Sequence, residues 1–164
     1  MLLVGIIAKK KDFQSIKREL QKYNIKLIHI NKESIGNVKN IVFEEIIFLE
    51  DINLKIDEYE YMNEIILKTK YLIINADIEL NILKCVKTPK PIKVITFGFN
   101  SKATITISSV NDEKIIACVQ RDLEILENKI IETQEKEIEI IQNRDRKIHN
   151  KLVIFIIKEL HNLG

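Results

Sequence analysis

The chain has 164 residues, 46% hydrophobic and 30% charged, with four Gly, two Pro, two Cys and no Trp, enough for one core of ordinary size. Its 26 basic and 24 acidic residues leave a formal charge of +2, which excludes the strongly basic balance of a nucleic-acid or anionic-membrane binder. Cys85 and Cys118 sit in apolar stretches without CxxC or Cys/His spacing, which excludes a disulfide framework or structural zinc site and reads as two reduced core residues.

The longest apolar run, residues 152–157, falls far short of the roughly 20 residues needed to cross a bilayer. No basic residue precedes the apolar stretch at the N-terminus, so a secretory signal is not expected and the protein reads as soluble and cytoplasmic. Isoleucine supplies 34 residues and lysine 22 against four arginines. That bias resembles the codon usage of an AT-rich bacterial genome, and most of the lysines read as solvated surface.

Residues 2–7 form a continuous apolar run, the pattern of a strand buried on both faces. Asp12 is placed to cap a helix whose Phe13, Ile16, Leu20 and Tyr23 share one face. The β-branched run 25–30 then completes a βαβ unit. Residues 41–49 are apolar but interrupted by Glu44 and Glu45, which predicts an edge strand or a strand followed by a turn. Asp57 and Glu60 resemble a capping box ahead of a helix carrying Met62, Ile65 and Ile66, followed by a strand at 71–75. Asp77 is expected to cap a short helix with Leu80 and Leu83, residues 88–91 break it, and 92–97 form a further strand closed by Gly98.

From Ala103 the pattern changes to strict alternation, the mark of half-exposed antiparallel strands. Strands are expected at 103–108, 114–120, 129–133 and 137–141, with turns near Asn111-Asp112, Glu127-Asn128 and Gln134-Glu135. Ile148, Leu152, Phe155, Ile156 and Leu160 define a last helix, capped near Asn143 or Asp145 and ended by Gly164. The order predicts one α/β domain over 1–164: a mostly parallel sheet flanked by helices in three layers, with a small antiparallel extension.

The segment 71–77, ending Asn75-Ala76-Asp77, is followed by Val94-Ile95-Thr96-Phe97-Gly98 and then by alternating strands. Near the C-terminus, Ile148-His149-Asn150 precedes an apolar helix ending in Leu163-Gly164. In this order the two segments resemble the central domain of the Mur ligase family, ATP-dependent amide ligases of peptidoglycan synthesis whose relatives include folylpolyglutamate synthetase. The resemblance covers 71–110 by motif, 143–164 by the His-Asn segment, and 2–23 by topology.

It implies an ATP and magnesium site in which a Gly-rich loop between the first strand and helix surrounds the phosphates. In this chain that loop would be residues 5–13, where the pattern Gly-x-x-Gly-Lys-Thr meets Ala8 and Lys11 at loop glycines, Asp12 at the phosphate lysine and Phe13 at the metal-binding threonine. A carboxylate in place of an ammonium beside polyphosphate turns attraction into repulsion. Lys9, Lys10 and Lys11 before the helix remain candidates for an anion. His149 and Asn150 match positions that contact the adenine base in the family, although Lys147 and Val153 replace its Gly and second Asn. Asp77 matches the family's Asp, but a helix cap accounts for it.

The helix before 71–75 shows no clear counterpart of the family's metal-helping lysine, and the family's flanking substrate-binding and C-terminal domains have no room here. No Gly-x-Ser-x-Gly elbow or histidine metal spacing occurs, and the Glu44-Glu45 pair and the acidic stretch 135–139 read as solvated. No catalytic residue, metal site or cofactor is therefore expected, and ATP with magnesium stands as the alternative. The expected function is a catalytically inactive, Mur-ligase-like binding or assembly module linked to cell-wall metabolism, with an unidentified protein partner and neither nucleic acid nor membrane. Two other readings are a nucleotide-binding subunit of an amide ligase completed by a partner chain, and a homo-oligomer prompted by the Ile-rich strand 41–49.

Overall fold

The computed structural model describes residues 1–87, 89–125, 128–141 and 147–164. The chain runs β1 (Leu2–Ile7), α1 (Lys10–Leu20), β2 (Ile25–His29), α2 (Ile35–Val38), β3 (Glu45–Phe48), α3 (Ile56–Lys68), β4 (Tyr71–Asn75), α4 (Ile82–Cys85), β5 (Lys93–Phe97), β6 (Ile105–Val110), β7 (Lys114–Val119), β8 (Leu123–Ile125), β9 (Lys129–Ile131), β10 (Gln134–Glu139) and α5 (Ile148–His161).

Eight strands form one sheet in the order β10-β7-β6-β5-β4-β3-β1-β2, and β8 and β9 form a separate two-stranded ribbon. Pairing is parallel from β2 through β6, while β6–β7 and β7–β10 are antiparallel. The expected α/β class, with a mostly parallel sheet, helices on both faces and a small antiparallel part, is what the chain adopts. The apolar character of β1, of β4 and of Ile46–Phe48 in β3 follows from this layering, since both faces of those strands are covered.

One core joins Val4, Ile6, Ile47, Ile73 and Phe97 to α1 and α5; the other joins Ile46, Phe48 and Leu72 to Ile35 of α2, Met62 and Ile65 of α3 and Ile82 of α4. Helix α5 departs from a one-sided stripe: Lys151 through Ile157 are all buried. Ile125 of β8, Ile131 of β9 and part of Ile138 of β10 pack into the same cluster, and a helix enclosed on most sides reads apolar on most sides.

Several local expectations fail for identifiable reasons. Residues 45–48 are no edge strand, because β3 lies between β1 and β4. Glu45 is 0% exposed, so it is not solvated either. Its carboxylate is bonded to His161 at the end of α5, which is how an acid enters a central strand. The strand that prompted the homo-oligomer reading is thus internal. Glu44 does reach solvent and pairs with Lys70 at 2.6 Å.

Lys9, not Asp12, is the N-cap residue of α1. The box opening α3 is Lys55/Glu58, with the Lys55 N–H donating to Glu58 Oε2 at 2.6 Å, not Asp57/Glu60. Asp77 caps nothing; the N-cap of α4 is Asn81, and the Asp51 carboxylate accepts from the Ile82 N–H at 3.2 Å. Helix α5 ends in left-handed Asn162 (φ 52°) rather than at Gly164, and the Leu163 N–H reaches the Lys158 carbonyl at 2.9 Å. Strand β10 begins at Gln134, where a turn was expected. Cys85 is exposed and Cys118 intermediate, so neither is a core residue. The short α2 had no sequence signal. The expected breaker at Thr88, the turn residue Glu127 and the caps at Asn143 or Asp145 lie outside the described residues.

Candidate functional site

The parallel strands deliver their C-terminal ends to one side of the sheet, where ligands of open α/β sheets are ordinarily received. Strand β4 ends in buried Asn75, whose side-chain amide donates to the Leu49 carbonyl at 3.2 Å and whose Oδ1 accepts the Asp77 N–H at 3.0 Å. This Asx turn lifts Asp77 toward the loop after β5. The Asp77 carboxylate accepts the N–H groups of Phe99 at 2.7 Å and Asn100 at 2.8 Å, and bonds His149 Nε2 at 2.6 Å. The His149 ring lies edge-on to Phe97 and Phe99, with centroids 6.2 and 5.4 Å away.

Gly98 makes the close approach feasible. Its φ is +140°, and a Cβ there would come within 2.7 Å of Asp77 Cγ and nearer still to Oδ2. Burial works to raise the Asp77 pKa, but the Phe99 N–H, His149 and the Asn100 N–H together outweigh it and hold the carboxyl below its ordinary value. A depressed pKa contributes stability above the ordinary carboxylate range, and that contribution is lost as pH falls through the lowered folded value. Asp77→Asn is therefore expected to flatten the acid limb of a stability-versus-pH curve and to speed hydrogen exchange of the Phe99 and Asn100 amides. An unchanged acid limb contradicts this role.

Between β1 and α1 lie only Ala8 and Lys9. His29 Nε2 donates to the Ala8 carbonyl at 2.7 Å, and the His29 ring stacks on Phe13 at 4.7 Å and 15°. Asp12 is 2% exposed. Its carboxylate accepts Lys147 Nζ at 2.7 Å and the Asn150 side-chain amide at 3.1 Å. The turn between β1 and α1 is thus packed by side chains, and the first turn of α1 carries an internal ion pair.

The two candidate base contacts therefore part company. His149 joins Asp77 beside exposed Phe99, while Asn150 is buried against Asp12. Lys10 and Lys11 are exposed, and Lys9 Nζ lies 3.5 Å from Glu50 with 70% of its side chain exposed, a geometry worth at most about 1 kcal/mol. Among the described residues, none of the three lysines is hydrogen-bonded or ion-paired to His149 or Asn150.

Sequence reasoning missed both acid-centred clusters. One signal was present: Asp12, Ile16 and Leu20 fall at i, i+4 and i+8, so an acid sat on the buried stripe of α1 and required a partner. Chemically, the arrangement immobilises an imidazole against a carboxylate and an aromatic edge. Among the described residues no hydroxyl or thiol is bonded to His149, and no group of three or more His, Cys, Asp or Glu side chains could hold a metal. No helix among them is long and apolar enough to cross a membrane. No protein-family model matches the sequence, and no curated protein matches it.

Proposed function

We propose that this chain is a reduced, Mur-ligase-like central domain acting as a non-catalytic binding or assembly module in the cytoplasm, linked to cell-wall metabolism. The observation that carries the reading is the internal use of polar groups at the strand ends. Asp12, at the position of the phosphate lysine in the resemblance, is neutralised by Lys147 and bonded by Asn150; Asp77 is saturated by two backbone N–H groups and His149. A triphosphate entering there would meet a buried acid whose cation is already engaged.

Isothermal titration with ATP and Mg²⁺ tests the reading, and the expected result is no saturable heat through the micromolar range. Micromolar binding that is weakened by Lys9→Glu or His149→Ala would overturn it.

A second reading, a nucleotide-binding subunit of an amide ligase completed by a partner chain, draws support from one feature. Phe99 is 56% exposed beside His149 and forms an aromatic wall on which a base could stack. ATPase or ligase turnover that appears on adding a partner and falls with Phe99→Ala would favour it.

A further inference from the structure

A groove of about 510 Å³ lies away from the strand ends, among α1, α5 and β10. Four consecutive β10 residues, 136–139, line it. Successive strand residues point to opposite faces, so the groove follows the open edge of β10 rather than one face. Among the described residues no strand pairs with that edge, because β10 ends the sheet and its strand neighbour there is β7.

The two sides of the edge carry opposite signs. Toward the helices, Lys136 pairs with Glu159 of α5, Lys151 pairs with Glu19, and Arg18, Lys22 and Lys158 form no ion pair among the described residues. The last two ammonium groups converge on the Tyr23 ring, 5.1 and 5.5 Å from its centroid. On the opposite side of β10 stand Glu135, Glu137 and Glu139, with Lys114 paired to Glu137.

We propose that this edge receives an extended peptide segment of a partner protein as an added strand, one with alternating charge. Its acidic residues face Arg18, Lys22 and Lys158, and its basic residues face the Glu135–Glu137–Glu139 row. Backbone ladder bonds supply affinity and the two charged rows supply register and selectivity. The charges also keep the edge from pairing indiscriminately. A second copy of β10 is a poor occupant, because antiparallel pairing about Glu137 would set glutamates opposite glutamates. This surface extends the assembly-module reading by giving the module a partner. ATP titration, which tests that reading, does not touch it.

The test is fluorescence polarisation at low salt with two short labelled peptides of identical composition, one alternating Glu with Lys and Val, the other with the acids and bases in separate blocks. The expected result is saturable binding of the alternating peptide alone, weakened about tenfold by Arg18→Glu or Lys22→Glu. Both replacements are surface changes whose folding circular dichroism verifies. Equal binding of the two peptides, binding of neither, or a dimer that Arg18→Glu dissociates would each overturn the proposal, the last in favour of a second copy of the chain.

Discussion

Replacing His161 with alanine is expected to lower the free energy of unfolding by about 3 kcal/mol at neutral pH, the range seen when one partner of a buried pair is removed. Glu45 is wholly enclosed in β3, and its only bonded partner among the described residues is His161, itself 20% exposed; Glu45 Oε2 has no bonded neighbour. Protonation sets a ceiling on the loss, since holding an ordinary glutamate neutral at pH 7 costs about 3.7 kcal/mol. Desolvation raises the Glu45 pKa; His161 opposes that, as does Lys70, while neighbouring Glu44 adds to it.

A raised folded pKa contributes stability that is fully present below the ordinary carboxylate value and is lost as pH rises through the raised one. Wild-type protein should therefore lose stability relative to Glu45→Gln as pH climbs above the ordinary carboxylate range. Glu45→Gln itself should be neutral or stabilising by about 1 kcal/mol at the upper end, because an amide still accepts from the imidazole without a buried charge. The penalty of His161→Ala should shrink on acidification and largely vanish in the Glu45→Gln background. Urea titrations of the four proteins at several pH values measure all of this. Parallel, pH-independent curves for wild type and Glu45→Gln would refute the assignment.

The second large effect concerns Asp12. Asp12→Ala is expected to cost about 2–3 kcal/mol, because it removes a charge-assisted bond to Lys147 and leaves the buried Asn150 amide without this acceptor. Asp12→Asn should recover part of the loss by keeping an oxygen at the same place. Beyond global stability, the alanine variant should raise amide exchange in the first turn of α5, which Asp12 ties to α1 across 138 residues of sequence. Uniform exchange throughout α5 would show that the contact is incidental. If ATP binding needed only the removal of this acid, Asp12→Ala would also gain affinity for nucleotide. No gain is expected, since the two-residue β1–α1 connection is closed by the His29 and Phe13 rings.

Much of the fold was legible because its signals are local. The strand at 71–75 was placed to the residue, and α1, α3 and α5 were placed by their apolar spacing, since periodicity reports which face is buried without needing to know against what. The misreadings share a cause. Asp12, Glu45 and Asp77 are acids whose sequence context resembles a cap or an exposed strand, and each is held by a partner at least 72 residues away for Asp77 and 116 for Glu45. Local chemistry offers an aspartate near a helix start as a cap, and only a distant cation or imidazole converts it into an interior anchor. Glu45 also shows why an interrupted apolar run reads as an edge: a glutamate in the run cannot by itself reveal that a histidine arrives from another layer.

The candidate site divides the same way. The absence of a Gly-rich phosphate loop could be read directly, because that chemistry requires particular residue types at fixed spacing within a few positions. The meeting of Asp77 with His149 and of Asp12 with Asn150 could not, because parallel crossovers bring the ends of β1, β4 and β5 together from segments that no short-range pattern connects. The sequence by itself determined most of the strands, the three long helices and the absence of a Gly-x-x-Gly-Lys-Thr pattern in the β1–α1 turn. Tertiary structure alone decided where the buried acids find their counter-groups, since a charge leaves water only when the whole fold supplies its partner.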